Sequence, residues 1–185
     1  MPRIMIIRHG EKHANGGVER GVNIYGVHTK HELTVRGWQR AGALVRFFAP
    51  LDGPHPDGFP ISTPRTIFAS AATKQSPSLR SQHTVTPLAA ALGVEIDRTH
   101  ACDEEPAIAA AALTAASPVL ISWHHSHIPI LAKLIGGLDL DCPAIWPEDR
   151  FDVVWVLDRD DDDAGRWRFT QVAQRLFAGD RAEAI

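Results

Sequence analysis

A chain of 185 residues, 44% hydrophobic and 22% charged, has the length and composition of one globular domain with a sizeable core. Its formal net charge of -3 and the lack of any long Lys/Arg run give no electrostatic footprint for nucleic acid or an anionic membrane, so neither is an expected partner. Cys102 and Cys142 stand apart with no C-x-x-C spacing, which excludes a zinc knuckle or a disulfide framework and leaves buried free thiols as the expectation.

The first predicted element is a short apolar strand, Ile4 to Ile7, which runs into Arg8, His9 and Gly10. It is too short for the core of a signal peptide, and no stretch approaches transmembrane length, so a soluble, cytoplasmic protein is expected. A loop rich in turn formers follows, from Gly10 to about His31, with Asn15-Gly16-Gly17 and Gly21. Thr34 then reads as the N-cap of a helix that carries Trp38, Ala41, Leu44, Val45 and Phe48 at helical spacing and stops before Pro50. The stretch 51–64, crowded with prolines and glycines, predicts a surface loop, and Thr66 to Ala69 a short strand.

From Ser78 to Leu92 the pattern is helical, with Pro87 as a kink or a restart and Gly93 as the stop. Val94 to Ile96 predicts a short strand, and Glu105-Pro106 opens an alanine-rich helix reaching about Ala116. Val119 to Trp123 is a second fully apolar strand, which delivers His124-His125-Ser126-His127. A helix from Ile128 to Ile135 follows, closed by Gly136-Gly137. Phe151 to Leu157 and Trp167 to Val172 predict a hairpin across the acidic turn from Asp158 to Gly165, a solvated turn rather than a metal site. Near-continuous apolar strands alternating with helices predict a three-layer α/β/α sandwich on a mainly parallel sheet.

Ligands of open α/β sheets bind at the carboxyl ends of the strands. Arg8 and His9 fall at one such end, Arg80 just inside a helix that follows another strand, and His124 and His125 at a third. Alone, Arg-His-Gly reads better as a polar strand exit than as a catalytic element. Together the three places supply what phosphoryl transfer needs, a nucleophile in line with the leaving oxygen and cations around the three equatorial oxygens. Imidazole is nucleophilic near neutral pH, and the planar arginine fork binds two oxygens at once.

Four segments carry a family resemblance: Ile7-Arg-His-Gly-Glu-Lys12, Leu33-Thr-Val-Arg-Gly-Trp-Gln-Arg-Ala41, Leu79-Arg-Ser-Gln-His-Thr84 with Pro87-Leu-Ala89, and Val119 to Pro129. In order and spacing the chain resembles the histidine phosphatase superfamily, with its phosphoglycerate mutase-like fold, over nearly its whole length. The resemblance implies a cofactor-independent, metal-free phosphatase in which His9 becomes a transient phosphohistidine while Arg8, Arg80 and a second histidine hold the phosphoryl oxygens. For that second histidine the trailing Ile128-Pro129 favours His125, whereas counting strand length favours His124. The other would then bind substrate, as would Glu11 beside the nucleophile and Asn15 on the rim with His13. His127 is expected to support its neighbours or cap the next helix, because three histidines so close on a strand exit cannot all converge on one zinc ion.

The departure from the family concerns the general acid. Asp103, Glu104 and Glu105 lack the usual glycine after them, and at least two of them read better as the negatively charged start of a helix, while Glu11 has the place to reach the pocket. Without a proton donor, an activated substrate such as a phosphohistidine is favoured. The SixA-type phosphohistidine phosphatases of the family that the chain resembles are similarly compact, which fits that activity. A small phosphorylated molecule or a phosphoprotein is the expected partner. A mutase, or a module that binds phosphate without turnover, is the alternative. Trp38, Phe47, Phe48 and Trp155 are expected in the core, and Arg36, Arg40, Arg65 and Lys74 at the surface.

Overall fold

The computed structural model describes residues 2–13, 18–160 and 165–185. Six strands form one sheet: β1 (Arg3–Arg8), β2 (Thr66–Ala69), β3 (Ile96–Asp97), β4 (Val119–Trp123), β5 (Val153–Arg159) and β6 (Trp167–Ala173). Their order across the sheet is β3-β2-β4-β1-β5-β6. β1 to β4 run parallel to one another, and β5 runs antiparallel to both of its neighbours. Among the described residues four helices cover the faces: α1 (Val35–Phe48), α2 (Arg80–Leu92), α3 (Glu105–Thr114) and α4 (Ile128–Gly136).

Side-chain alternation along β1 divides the core in two. Ile4 and Ile6 join the residues of α3 and α4, whereas Met5 and Ile7 join those of α1 and α2. All four are at most 2% exposed, so each contributes about 1.5–3 kcal/mol of burial. The mainly parallel three-layer sandwich read from the sequence is thus the observed architecture.

Local chemistry explains most element boundaries. The Thr34 hydroxyl accepts a hydrogen bond from Gly37 N at 3.2 Å, capping α1. Gly93 ends α2 with φ of 66°, and because Val94 N closes back on Ala89 O at 3.1 Å, β3 starts two residues later than the apolar pattern suggested. Pro87 neither ends nor restarts α2. It removes the one bond to His83 O, while the hydroxyls of Thr84 and Thr86 donate to the carbonyls of Arg80 and Gln82 at 2.7 and 2.9 Å. The hairpin strands reach Arg159 and Ala173, beyond the apolar run, because Asp158 is held by Arg3 at 2.7 Å. Cys102 and Cys142 are free but only half-buried. Among the described residues no helix is long and apolar enough to cross a membrane.

Candidate active site

The register of the two central strands sets Arg8 opposite Trp123, and His9 N donates to Trp123 O at 3.2 Å. His9 and His124 therefore leave adjacent parallel strands side by side, their ring centroids 5.9 Å apart. His9 Nδ1 lies 2.7 Å from Gly10 O. A carbonyl only accepts, so Nδ1 carries the proton and Nε2 presents its lone pair. Nε2 is buried and has no partner. Burial, followed by the charges of Arg8 and Arg80, holds the His9 pKa well below the ordinary 6.5, so the ring is neutral at physiological pH.

The turn after His9 is tight for a stated reason. A Cβ on Gly10 would come within 3.0 Å of Gly37 O, and one on Gly37 within 2.5 Å of Glu11 O, so the strand exit lies directly on the first turn of α1. Gly10 N donates to the buried Thr84 Oγ1 at 2.8 Å, which fastens the same turn to α2. Thr84 belongs to the Leu79–Thr84 segment, but nothing in its spacing marked it as a tether.

Arg8 is 1% exposed. Its Nη1 donates to the carbonyls of Pro147, Glu148 and Arg150, and its guanidinium carbon stands 3.8 Å over the Phe151 ring. Nε and Nη2 are buried without partners. Burial lowers its pKa to about 10, with Glu148 opposing and Arg80 adding to the fall. Arg80 donates from Nη1 to Lys30 O at 2.9 Å and keeps a buried Nε with no partner. Two fixed arginines with N–H groups left over, beside a neutral imidazole, are an arrangement able to hold an anion. The residues of the Pro147–Phe151 stretch that hold Arg8 carry no sequence signal, because they act chiefly through backbone carbonyls. Lys12 was also unassigned by sequence. Burial and then repulsion from Arg8 and Arg80 lower its pKa, which places it in the same cationic field.

Both candidate second histidines come to the pocket, in different places. His124 abuts His9, and its Nδ1 is 2.9 Å from Ser126 Oγ. His125 is 7% exposed, stacks on His124 at 4.7 Å and keeps a buried Nδ1 without a partner, while its Nε2 lies 3.8 Å from the exposed Glu148 carboxylate. Burial lowers both pKa values to about 4, helped by His125 in the first case and by Arg8 in the second. His127 packs edge-on to His124 at 5.8 Å.

The acidic candidates are placed differently from expectation. Glu11 does not face the pocket: its carboxylate takes Arg40 Nη2 at 2.7 Å and Arg36 Nε at 3.2 Å, because a buried arginine beneath α1 needs a counter-charge. Arg40 itself, expected at the surface, is 2% exposed and also holds Asp180 at 2.8 Å. Glu105 is 5% exposed and accepts from Trp123 Nε1 at 2.9 Å. Trp38 is only half-buried. Its Nε1 donates to Val22 O at 2.7 Å and its ring lies 5.0 Å from His83, so it holds the 18–31 loop instead of filling the core. Arg65 and Lys74 are exposed as expected, and Phe48 and Trp155 are fully buried. Asn15 and residues 161–164 of the acidic turn lie outside the described residues.

No family model matches the sequence, and no curated protein does. Solved structures do. A mycobacterial glucosyl-3-phosphoglycerate phosphatase in complex with VO3 superposes with a TM-score of 0.54 at 14% identity, over 91% of this chain and 97% of that one. A putative alpha-ribazole-5'-P phosphatase from Escherichia coli K-12 gives 0.52 at 16% identity, over 94% and 96%. Phosphoserine phosphatase from Entamoeba histolytica, in complex with 3-phosphoglyceric acid, gives 0.50 at 14% identity, over 86% and 91%. The likeness is one of architecture: the chain has the phosphoglycerate mutase-like fold, and these neighbours are histidine phosphatase superfamily members.

Proposed function

We propose that this protein is a cofactor-independent phosphatase that passes the phosphoryl group of a phosphomonoester or a phosphohistidine through a covalent phosphohistidine on His9. One observation carries the reading. A buried, neutral imidazole donates Nδ1–H to Gly10 O, leaves Nε2 free, and stands beside two arginines that each keep a buried, unpartnered N–H.

In the first step Nε2 attacks phosphorus, the N–P bond forms and the bond to the leaving group breaks. The Gly10 carbonyl stabilises the positive charge that develops on the ring. Arg8 and Arg80, with His125 through its unpartnered nitrogen, bind the equatorial oxygens, and His124 closes the wall beside the nucleophile. Water then attacks phosphorus, the N–P bond breaks and inorganic phosphate leaves. The fold shared with phosphatases supports the assignment, and so does the nucleophile, which a pure binding module would not need. A small phosphorylated molecule or a phosphoprotein is the partner that such a pocket takes.

The test is phosphate release from a panel of aryl, alkyl and histidine phosphates, with rapid quenching in alkali to preserve acid-labile phosphoprotein. Wild type should show label on His9. His9→Ala, with unchanged circular dichroism, should show neither label nor turnover. Undiminished turnover in a folded His9→Ala protein would end this mechanism.

A further inference from the structure

Glu11 is tied to Arg40 and Glu105 is buried against Trp123, so neither of these two carboxylates stands free to protonate a leaving group. We propose that His127, paired with the buried Glu105 carboxylate, is the proton donor of the reaction; this rests on the phosphatase reading above. His127 follows β4 by four residues and is positioned as the N-cap of α4. Its Nδ1 lies 3.0 Å from Glu105 Oε1 and 3.9 Å from Asp103 Oδ1. The Nδ1 atom is buried and meets Glu105 as a close charge contact without the alignment of a hydrogen bond, while the side chain as a whole keeps 24% of its surface, so the ring remains open to a ligand.

Glu105 is well fixed for this work. Trp123 Nε1 donates to its Oε1 at 2.9 Å and Asp103 N donates to the same oxygen at 3.2 Å. Asp103 holds φ of 78°, a left-handed conformation unusual for a residue with a side chain, at the turn that delivers its amide to Glu105. The groups that face His127 are Glu105 and Asp103 on one side and His124 and His125 on the other.

Placement makes the pairing relevant to catalysis. His124 is a neighbour of both rings, 5.9 Å from His9 and 5.8 Å from His127. In-line attack puts the leaving oxygen on the side of phosphorus away from His9, and His127, one ring removed from the nucleophile, is the imidazole assigned to meet it. As the P–O bond breaks, the imidazolium gives its proton to the departing oxygen. In the second step the neutral ring takes a proton from the attacking water, and the imidazolium is restored with release of phosphate.

The experiment compares wild type, His127→Asn and Glu105→Gln on p-nitrophenyl phosphate, whose leaving group needs little protonation, and on phosphoserine, whose alkoxide needs it. For His127→Asn the phosphoserine rate should fall about 10²–10⁴-fold, and the aryl rate far less, so that rate depends more steeply on leaving-group pKa. Glu105→Gln keeps an acceptor for Trp123 but removes the charge. It should move the alkaline limb of the phosphoserine profile to lower pH, a shift that a merely structural role would not produce. Equal losses on both substrates, or none, would overturn the proposal. So would activity lost to a chelator and regained with a divalent cation, since the ligand atoms of Asp103, Glu105 and His127 lie within 4.8 Å of one another and would then be metal ligands. A wild type with neither turnover nor phosphorylated His9 would instead remove the phosphatase reading beneath it.

Discussion

His9 and Glu11 are two residues apart, yet they belong to regions with opposite electrostatic conditions. Around His9 stand Arg8, Arg80 and Lys12, with unpartnered donors on both arginines; carboxylates act on Arg8 only through space, Glu148 first, then Asp149 and Glu11. Around Glu11, two arginines meet two carboxylates: Arg40 takes Glu11 and Asp180, and Arg36 takes Glu11. The titrations diverge accordingly. Burial and the neighbouring cations push the His9 and Lys12 pKa values down. Burial also acts to lower that of Arg40, but the bonds to Asp180 and Glu11 outweigh it and raise the value above the ordinary one. Buried cations short of partners mark a place for an anionic ligand, whereas buried cations fully paired mark a brace.

That contrast breaks if the paired region proves dispensable for stability. Arg40→Met leaves Glu11 and Asp180 without their main partner and should cost about 3 kcal/mol, since removing one member of a buried ion pair typically costs 3–5 kcal/mol. The midpoint of thermal unfolding should drop roughly 6–12 °C at the 2–4 °C per kcal/mol expected for a chain of this size. An unchanged midpoint would show that the network contributes nothing net.

The smaller effect expected at the unpaired region concerns binding. Arg80→Ala should weaken competitive inhibition by vanadate roughly 10–100-fold, as loss of a charge-assisted bond worth about 1.5–3 kcal/mol implies, with little change in the unfolding midpoint. Wild-type inhibition by vanadate in the Arg80→Ala protein would place Arg80 outside the oxyanion site.

The smallest effect is on stability against pH. His124 and His125 have folded pKa values of about 4, below the ordinary 6.5, and that of His9 lies well below it. The unfolded chain therefore binds protons first as pH falls. Stability should be full above 6.5, decline between 6.5 and about 4, and level off once the folded pKa values are passed. Saturating vanadate should flatten the decline, because the anion compensates the cations that disfavour protonation. A stability that rises on acidification through this window would contradict the burial of these rings as neutral groups.

Much of this molecule was legible in the chain. Apolar runs too short for helices, Thr34 with glycine three residues on, and Gly93 after an apolar helix fix β1, β2, β4, α1 and the end of α2 through local chemistry alone. Strand exits also pointed to the pocket, since a sheet with parallel neighbours brings the ends of β1 and β4 together wherever their sequences lie. What sequence could not decide was the partner of each charge. Arg8 and Arg40 carry the same guanidinium, and whether it meets backbone carbonyls, or carboxylates from residues 11 and 180, depends on contacts 29 to 142 residues apart in the chain. The same holds for Glu11, which sits beside the nucleophile but turns beneath α1, and for His124 and His125, whose division between His9 and Arg8 was decided by strand register. Side-chain type and local spacing determine which groups are available; the long-range packing of the sheet and α1 determines which remain unpaired, and so which can bind a ligand.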